Sequence, residues 1–225
     1  MEKVHVLLNA AVSADGKLAP SSRRRVRLGS ARDLARLDRI RASCDAILIG
    51  AGTLRAEDPP LQVRSPALIR ARRLEGRDLL LTTIVLSRGL DLPFSSRFFR
   101  DAAVPRIIAA PASAPRRKVP RARDHAEVFL AGRGGVDPRR LLALLAGRGI
   151  RRLVVEGGGE IYGLFLRAGL VNEIHLTVCP LLLGGGTAPT LFDGEGFDGP
   201  PFPALRLDLC RREGDEVYLR YTGAP

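Results

Sequence analysis

The chain has 225 residues, 45% of them hydrophobic and 27% charged, and 36 Lys and Arg against 24 Asp and Glu leave a formal charge of +12. That apolar content can offset the chain entropy of folding, so global disorder is excluded and one domain is the expectation at this length. Three scattered cysteines, Cys44, Cys179 and Cys210, argue against a disulfide scaffold or a structural zinc site, and the lack of a long apolar run or leader-like N-terminus predicts a cytoplasmic protein with no membrane partner.

In chain order, an apolar strand over Val4–Val12 ends in an Asp15-Gly16 turn signal, and Arg23–Arg27 forms a basic loop. Ser30-Ala31-Arg32-Asp33 resembles a capping box, followed by Leu34, Leu37, Ile40 and Cys44 at helical spacing, which predicts a helix over 31–43. Ala46–Gly50 is a short apolar run of the kind found in buried parallel strands, opening into a loop over 51–61. Further strands are predicted at 82–87, 106–110 and 127–130, with the Pro- and Arg-rich stretch 111–123 as a surface connection. Asp137-Pro138 is a helix start ahead of Leu141, Leu142, Leu144 and Leu145. A strand over 152–156, a Gly157-Gly158-Gly159 turn and a helix over 160–168 make a β-turn-α unit. A strand over 174–179 follows, then a hairpin of 205–212 and 217–222. The pattern predicts an α/β fold with a mainly parallel sheet and an antiparallel hairpin at its end.

Charge alone says little about partners, because 33 of the 36 basic residues are Arg, a skew that codon bias can produce. With no Trp and three Tyr there are few stacking platforms, so nucleic acid is not the expected partner. An anionic small molecule suits Arg better, since its planar fork pairs with phosphate. Two glycine turns could hold such a molecule: Gly50-Ala51-Gly52-Thr53 through Asp58-Pro59, and Val155-Glu156-Gly157-Gly158-Gly159-Glu160-Ile161. Neither has the spacing of a P-loop or a dinucleotide fingerprint, so each is equally readable as a simple turn. His5, His125 and His175 lack metal spacing, and no metal is expected.

Taken together, the motifs resemble one family. Asp15-Gly16-Lys17, Arg41-Ala42, Asp45 through Thr53, Asp58 through Arg64, Val155 through Gly159, Ala168 through Glu173 and Pro180 through Phe197 are similar, in this order, to the reductases of riboflavin biosynthesis. The similarity is to the stand-alone reductases and to the reductase half of the bifunctional deaminase–reductases. No H-x-E with P-C-x-x-C deaminase signature occurs, so a reductase domain over 1–225 without a deaminase domain is expected.

The resemblance implies a dihydrofolate-reductase-like three-layer fold, NADPH as cofactor, a phosphorylated ribosylaminopyrimidine substrate and a homodimer. In that family the sugar reacts as its open-chain imine and receives hydride at the former C1 of the ribose. It further implies that Ala11, Thr53, Glu57, Ser87, Arg88 and the turn Gly157, Gly158, Gly159, Glu160 and Ile161 contact the cofactor, with Arg88 near the adenosine 2′-phosphate. Arg41, Leu61 and Arg64 match substrate positions, Asp33 and Asp58 are further polar candidates, and Glu156 matches a substrate-contacting carboxylate at the reacting centre. The sequence departs from the family where a substrate-contacting serine gives way to Arg25-Val26-Arg27, and where Glu57 stands in place of a frequent Asp. Reduction of another heterocycle, such as a pteridine, and a basic nucleic-acid-binding module are the competing readings.

Overall fold

The computed structural model describes residues 3–223. Its elements are β1 (His5–Ser13), α1 (Ala31–Ala42), β2 (Ala46–Gly50), α2 (Ala51–Glu57), α3 (Pro66–Leu74), β3 (Thr82–Leu86), α4 (Arg97–Arg100), β4 (Arg106–Ala110), α5 (Val119–Arg123), β5 (Glu127–Leu130), α6 (Pro138–Gly147), β6 (Arg152–Val155), α7 (Gly159–Arg167), β7 (Glu173–Cys179), β8 (Arg206–Glu213) and β9 (Glu216–Thr222). Every predicted strand forms to within one residue at either end.

Four helical segments correct the sequence reading, the short α4 at Arg97–Arg100, absent from the predicted elements, being one of them. The expected loop over 51–61 begins as α2, because Ala51 and Leu54 bury one side of the turn and Asp58, left-handed at φ 41°, stops it. Helix α3 is absent from the predicted elements, although Ser65 accepts from the Leu68 N–H and Pro66 opens the helix, a start signal visible in the sequence. The stretch 111–123 coils into a short 3-10 turn, Arg116–Lys118, and α5, pinned by the fully buried Ala122.

The chain forms two compact units, one comprising Asp38–Val154 with the residues just before β1, the other His5–Leu37 with the chain from Val155 onward. In the first, the strand order is β5-β4-β3-β2-β6, and β2–β3, β3–β4 and β4–β5 are parallel. All five residues of β2 are buried, as a continuous apolar strand covered on both faces must be. Ile47, Leu48, Ile84, Ile108, Leu153 and Val154 have no exposed surface, and burying each such side chain stabilises the fold by about 1.5–3 kcal/mol. Arg72 is buried with them at 2% exposure, its guanidinium donating to the carbonyls of Ala42, Cys44 and Asp78. Burial pushes its pKa down, and the carbonyls replace the water it gave up.

The second unit orders its strands β1-β7-β9-β8, with β1 parallel to β7 and the other two pairs antiparallel. The β8–β9 hairpin turns at Gly214, whose φ of 65° favours glycine. The mainly parallel α/β sheet with a closing antiparallel hairpin is thus present as predicted.

Candidate active site

In the unit built on Asp38–Val154, the candidate residues sit where β2 and β3 end. Gly50 leads from β2 into α2, where Thr53 is half-buried and Glu57 exposed. Asp58 follows, with Oδ2 accepting from the Arg97 N–H at 2.9 Å, while its buried Oδ1 has no hydrogen-bond partner among the described residues. Ser87 ends β3 and is 4% exposed, and Arg88 beside it is exposed. Farther along the chain, Leu61 is 5% exposed, and the Arg64 guanidinium is exposed without a partner among the described residues.

Two buried side chains shape this segment. Arg41, at 4% exposure, donates Nη1 to the carbonyls of Pro60 (2.9 Å) and Gln62 (3.2 Å) and so clamps the turn that carries Leu61. Asp38, at 5%, accepts from the N–H groups of Arg64 (2.9 Å) and Ser65 (2.7 Å), fixing the backbone from which Arg64 projects. Sequence reasoning missed Asp38, which looked like one more charge on an amphipathic helix; only its one-turn spacing from Arg41 hinted at a shared task.

In the unit built on His5–Leu37 and the chain from Val155, Glu156 is half-buried at the end of β6. The chain then turns through Gly157 and Gly158, whose φ is 84°, into α7. Among the described residues no side chain caps α7, and although the Ile161 N–H bonds the Gly158 carbonyl at 2.9 Å, an uncapped helix start suits an anion. Gly159 is crowded: a Cβ there would lie 2.4 Å from the Thr190 carbonyl oxygen and 2.6 Å from Asp193 Oδ2. Asp193 in turn accepts from the Thr190 N–H and hydroxyl and donates its own N–H to the Gly159 carbonyl, so Thr190–Asp193 braces the glycine turn. Glu160 is exposed and Ile161 half-buried. Ala11 is half-buried on β1, in register with Thr177 of β7.

Asp33 corrects the capping-box reading. Ser30 does cap α1, its Oγ accepting from the Arg32 N–H at 3.1 Å and the Asp33 N–H at 3.4 Å. The Asp33 carboxyl instead accepts from the Thr177 hydroxyl at 2.6 Å, a partner 144 residues away. Asp15 is also more than a turn former, since it accepts from the N–H groups of Leu183 and Gly184 and from the Ser13 hydroxyl. Those bonds, the Ser13 hydroxyl foremost, hold its pKa down at about 2. Among the described residues no group of three His, Cys, Asp or Glu is placed to hold a metal ion, and no helix is long and apolar enough to cross a membrane.

Residues 4–219 match the RibD C-terminal domain. The chain is 37% identical over 220 residues to the 2,5-diamino-6-ribosylamino-4(3H)-pyrimidinone 5′-phosphate reductase of Archaeoglobus fulgidus, covering 97% of this chain and 98% of that one. It is 36% identical over 220 residues to the protein of the same description from Methanothermobacter thermautotrophicus, covering 97% of each. Among solved structures, a pyrimidine reductase-like protein from Corynebacterium diphtheriae superimposes with a TM-score of 0.83 at 25% identity, over 97% of this chain and 91% of that one. The dihydrofolate-reductase-like fold expected from the sequence agrees with these neighbours.

Proposed function

The chain belongs to the RibD C-terminal domain family, and on that premise we propose that it is a riboflavin-biosynthesis reductase, converting the ribosylamino group of a phosphorylated pyrimidinone into a ribitylamino group with NADPH. The observation that carries this reading is the family match over residues 4–219, which runs through both units and every motif named above. In the same reading residues 1–225 act as one reductase domain, in the cytoplasm and as a homodimer.

The residues present fit a nicotinamide dinucleotide. The uncapped start of α7 and the bare glycines before it suit a diphosphate, which needs N–H donors and close backbone approach. Arg88 offers an exposed guanidinium to the 2′-phosphate, and Ser87 ends the strand beside it. In this reading Ala11, Thr53, Glu57, Ser87, Arg88 and Gly157–Ile161 hold NADPH, which supplies the hydride when bound. Arg64 pairs with the substrate phosphate, Leu61 packs beside it, and Arg41 and Asp58 shape that segment. Glu156 accepts hydroxyls of the opened sugar and offsets positive charge on a protonated imine. The chain's task is alignment and charge compensation.

The test is NADPH oxidation, followed by loss of nicotinamide absorbance, with the diamino ribosylaminopyrimidinone phosphate and its deaminated counterpart supplied separately. Turnover with one of them, lowered by at least roughly tenfold in Arg64→Ala, is the expected result. NADPH binding without oxidation by either compound would overturn the substrate assignment. NADH working as well as NADPH would overturn the role of Arg88. Sedimentation of the pure protein as a monomer would remove the homodimer.

A further inference from the structure

Within the unit holding β1, β7 and β9, two carboxyl groups have opposite surroundings. Glu216, on β9 and 5% exposed, accepts from the Ser30 N–H (2.6 Å), the Ser30 hydroxyl (2.7 Å) and the Tyr218 hydroxyl (2.7 Å). Burial pushes its pKa up, but the three donors outweigh that and keep it lowered, so Glu216 is a settled anion. Asp33, on α1, has one side-chain donor among the described residues, the Thr177 hydroxyl at 2.6 Å. That hydroxyl has a single proton to give, and it is itself approached by Arg36 Nη1 at 3.4 Å. The other oxygen, Asp33 Oδ2, is packed over Gly29, where a Cβ would lie 2.1 Å from it.

The groups facing Asp33 come from each neighbouring element: Arg36 on its own helix, Thr177 and Cys179 on β7, and Glu216 with its hydroxyl donor Tyr218 on β9. Burial, then the Glu216 charge, raise Asp33 above the ordinary carboxylate range, against the Thr177 bond and the Arg36 charge. Where neighbouring carboxyls are driven apart in this way, the raised one is the acid and the lowered one a fixed charge. Asp33 is half-buried and not sealed, so its proton can leave. The row it joins runs Ala11–Thr177–Tyr218 across β1, β7 and β9, and Ala11 is the β1 residue that the proposed function gives to NADPH.

We propose that Asp33, held by Thr177 and backed by the Glu216 carboxylate, donates the proton that the reduction takes up. This rests on the reductase reading. The Asp33 proton passes to the imine nitrogen, making the protonated imine whose charge Glu156 offsets; hydride then adds to its carbon and the C=N electron pair moves to nitrogen, leaving the neutral amine. The imine gains two electrons, the cofactor loses them, and the carboxylate left behind is reprotonated from water. Thr177 and Glu216 are positioning residues: one aims the carboxyl, the other keeps it protonated.

The first readout needs neither substrate nor cofactor. The carboxyl carbon of Asp33, followed by NMR across pH, is expected to titrate above an ordinary aspartate. It is expected to move down in Glu216→Gln and up in Thr177→Val, which removes the donor favouring the charged form. The second readout is the pH profile of turnover: activity of the wild type falls as pH rises through that titration, and Asp33→Asn loses roughly 10²–10³-fold in kcat with little change in substrate KM. Gly29→Ala, which displaces Oδ2 while keeping the carboxyl group, is expected to lower kcat by about tenfold and leave NADPH affinity unchanged, and it stands in if Asp33→Asn fails to fold. An ordinary Asp33 titration, or kcat within about threefold of wild type in the variants, overturns the proposal. Either result leaves the reductase reading intact, whereas a wild type inactive on both pyrimidinones overturns that reading and not the titration.

Discussion

Glu173→Gln probes the hydrogen-bonded cluster that ties β1 to β7. Glu173 lies at the start of β7, with Oε1 2.7 Å from His5 Nε2 and Oε2 2.9 Å from His175 Nε2. The His175 bond holds the carboxyl down against the burial that pushes it up, and His5 adds to the effect, so its pKa falls from 4.5 to about 2. A carboxyl depressed on folding stabilises the native state above its unfolded value and loses that contribution as pH falls toward the folded one. The window therefore runs from 4.5 down to about 2. At about 1.4 kcal/mol per pH unit the ceiling is about 3 kcal/mol, and solvent reaching the side chain reduces it to about 2 kcal/mol. The assay is urea unfolding of both proteins, followed by circular dichroism, from about pH 7 down to about pH 3. The variant is expected to be less stable by about 2 kcal/mol at neutral pH, with the gap closing below about pH 4. A gap that is absent, or constant across that range, would refute the reasoning.

Arg72→Met strands three carbonyls in the first unit and is expected to cost about 3 kcal/mol in thermal unfolding, with a loss under about 1 kcal/mol counting against the buried clamp. Asp38→Ala frees the backbone carrying Arg64, so substrate KM is expected to rise about tenfold with kcat within about threefold; an equal fall in kcat would place Asp38 in the chemistry instead. Gly159→Ala forces its Cβ onto the Thr190 and Asp193 oxygens and is expected to weaken NADPH binding about tenfold by calorimetry. Unchanged affinity there would remove the glycine turn from the cofactor site.

Much of this molecule was legible in its residues. The run Ala46–Gly50 announced a buried strand because both faces are covered, and Asp137-Pro138 announced α6 because an acceptor and a fixed φ are what a helix start needs. The ordered motifs from Asp15 to Phe197 point to the family by themselves. Local pattern sets the element and its buried face, and that is where its reach ends. The partner of a polar side chain is chosen by sheet register and helix docking, across separations of 26 residues for Asp38 and Arg64 or 144 for Asp33 and Thr177. Ser30-x-x-Asp33 therefore reads as a capping box, since the competing acceptors and donors on β7 and β9 have no trace in the local sequence. The same reason hid the buried clamps of Arg41 and Arg72. An arginine on a helix is a solvated charge by pattern, and becomes a structural bond only where packing removes its water and supplies carbonyls in return.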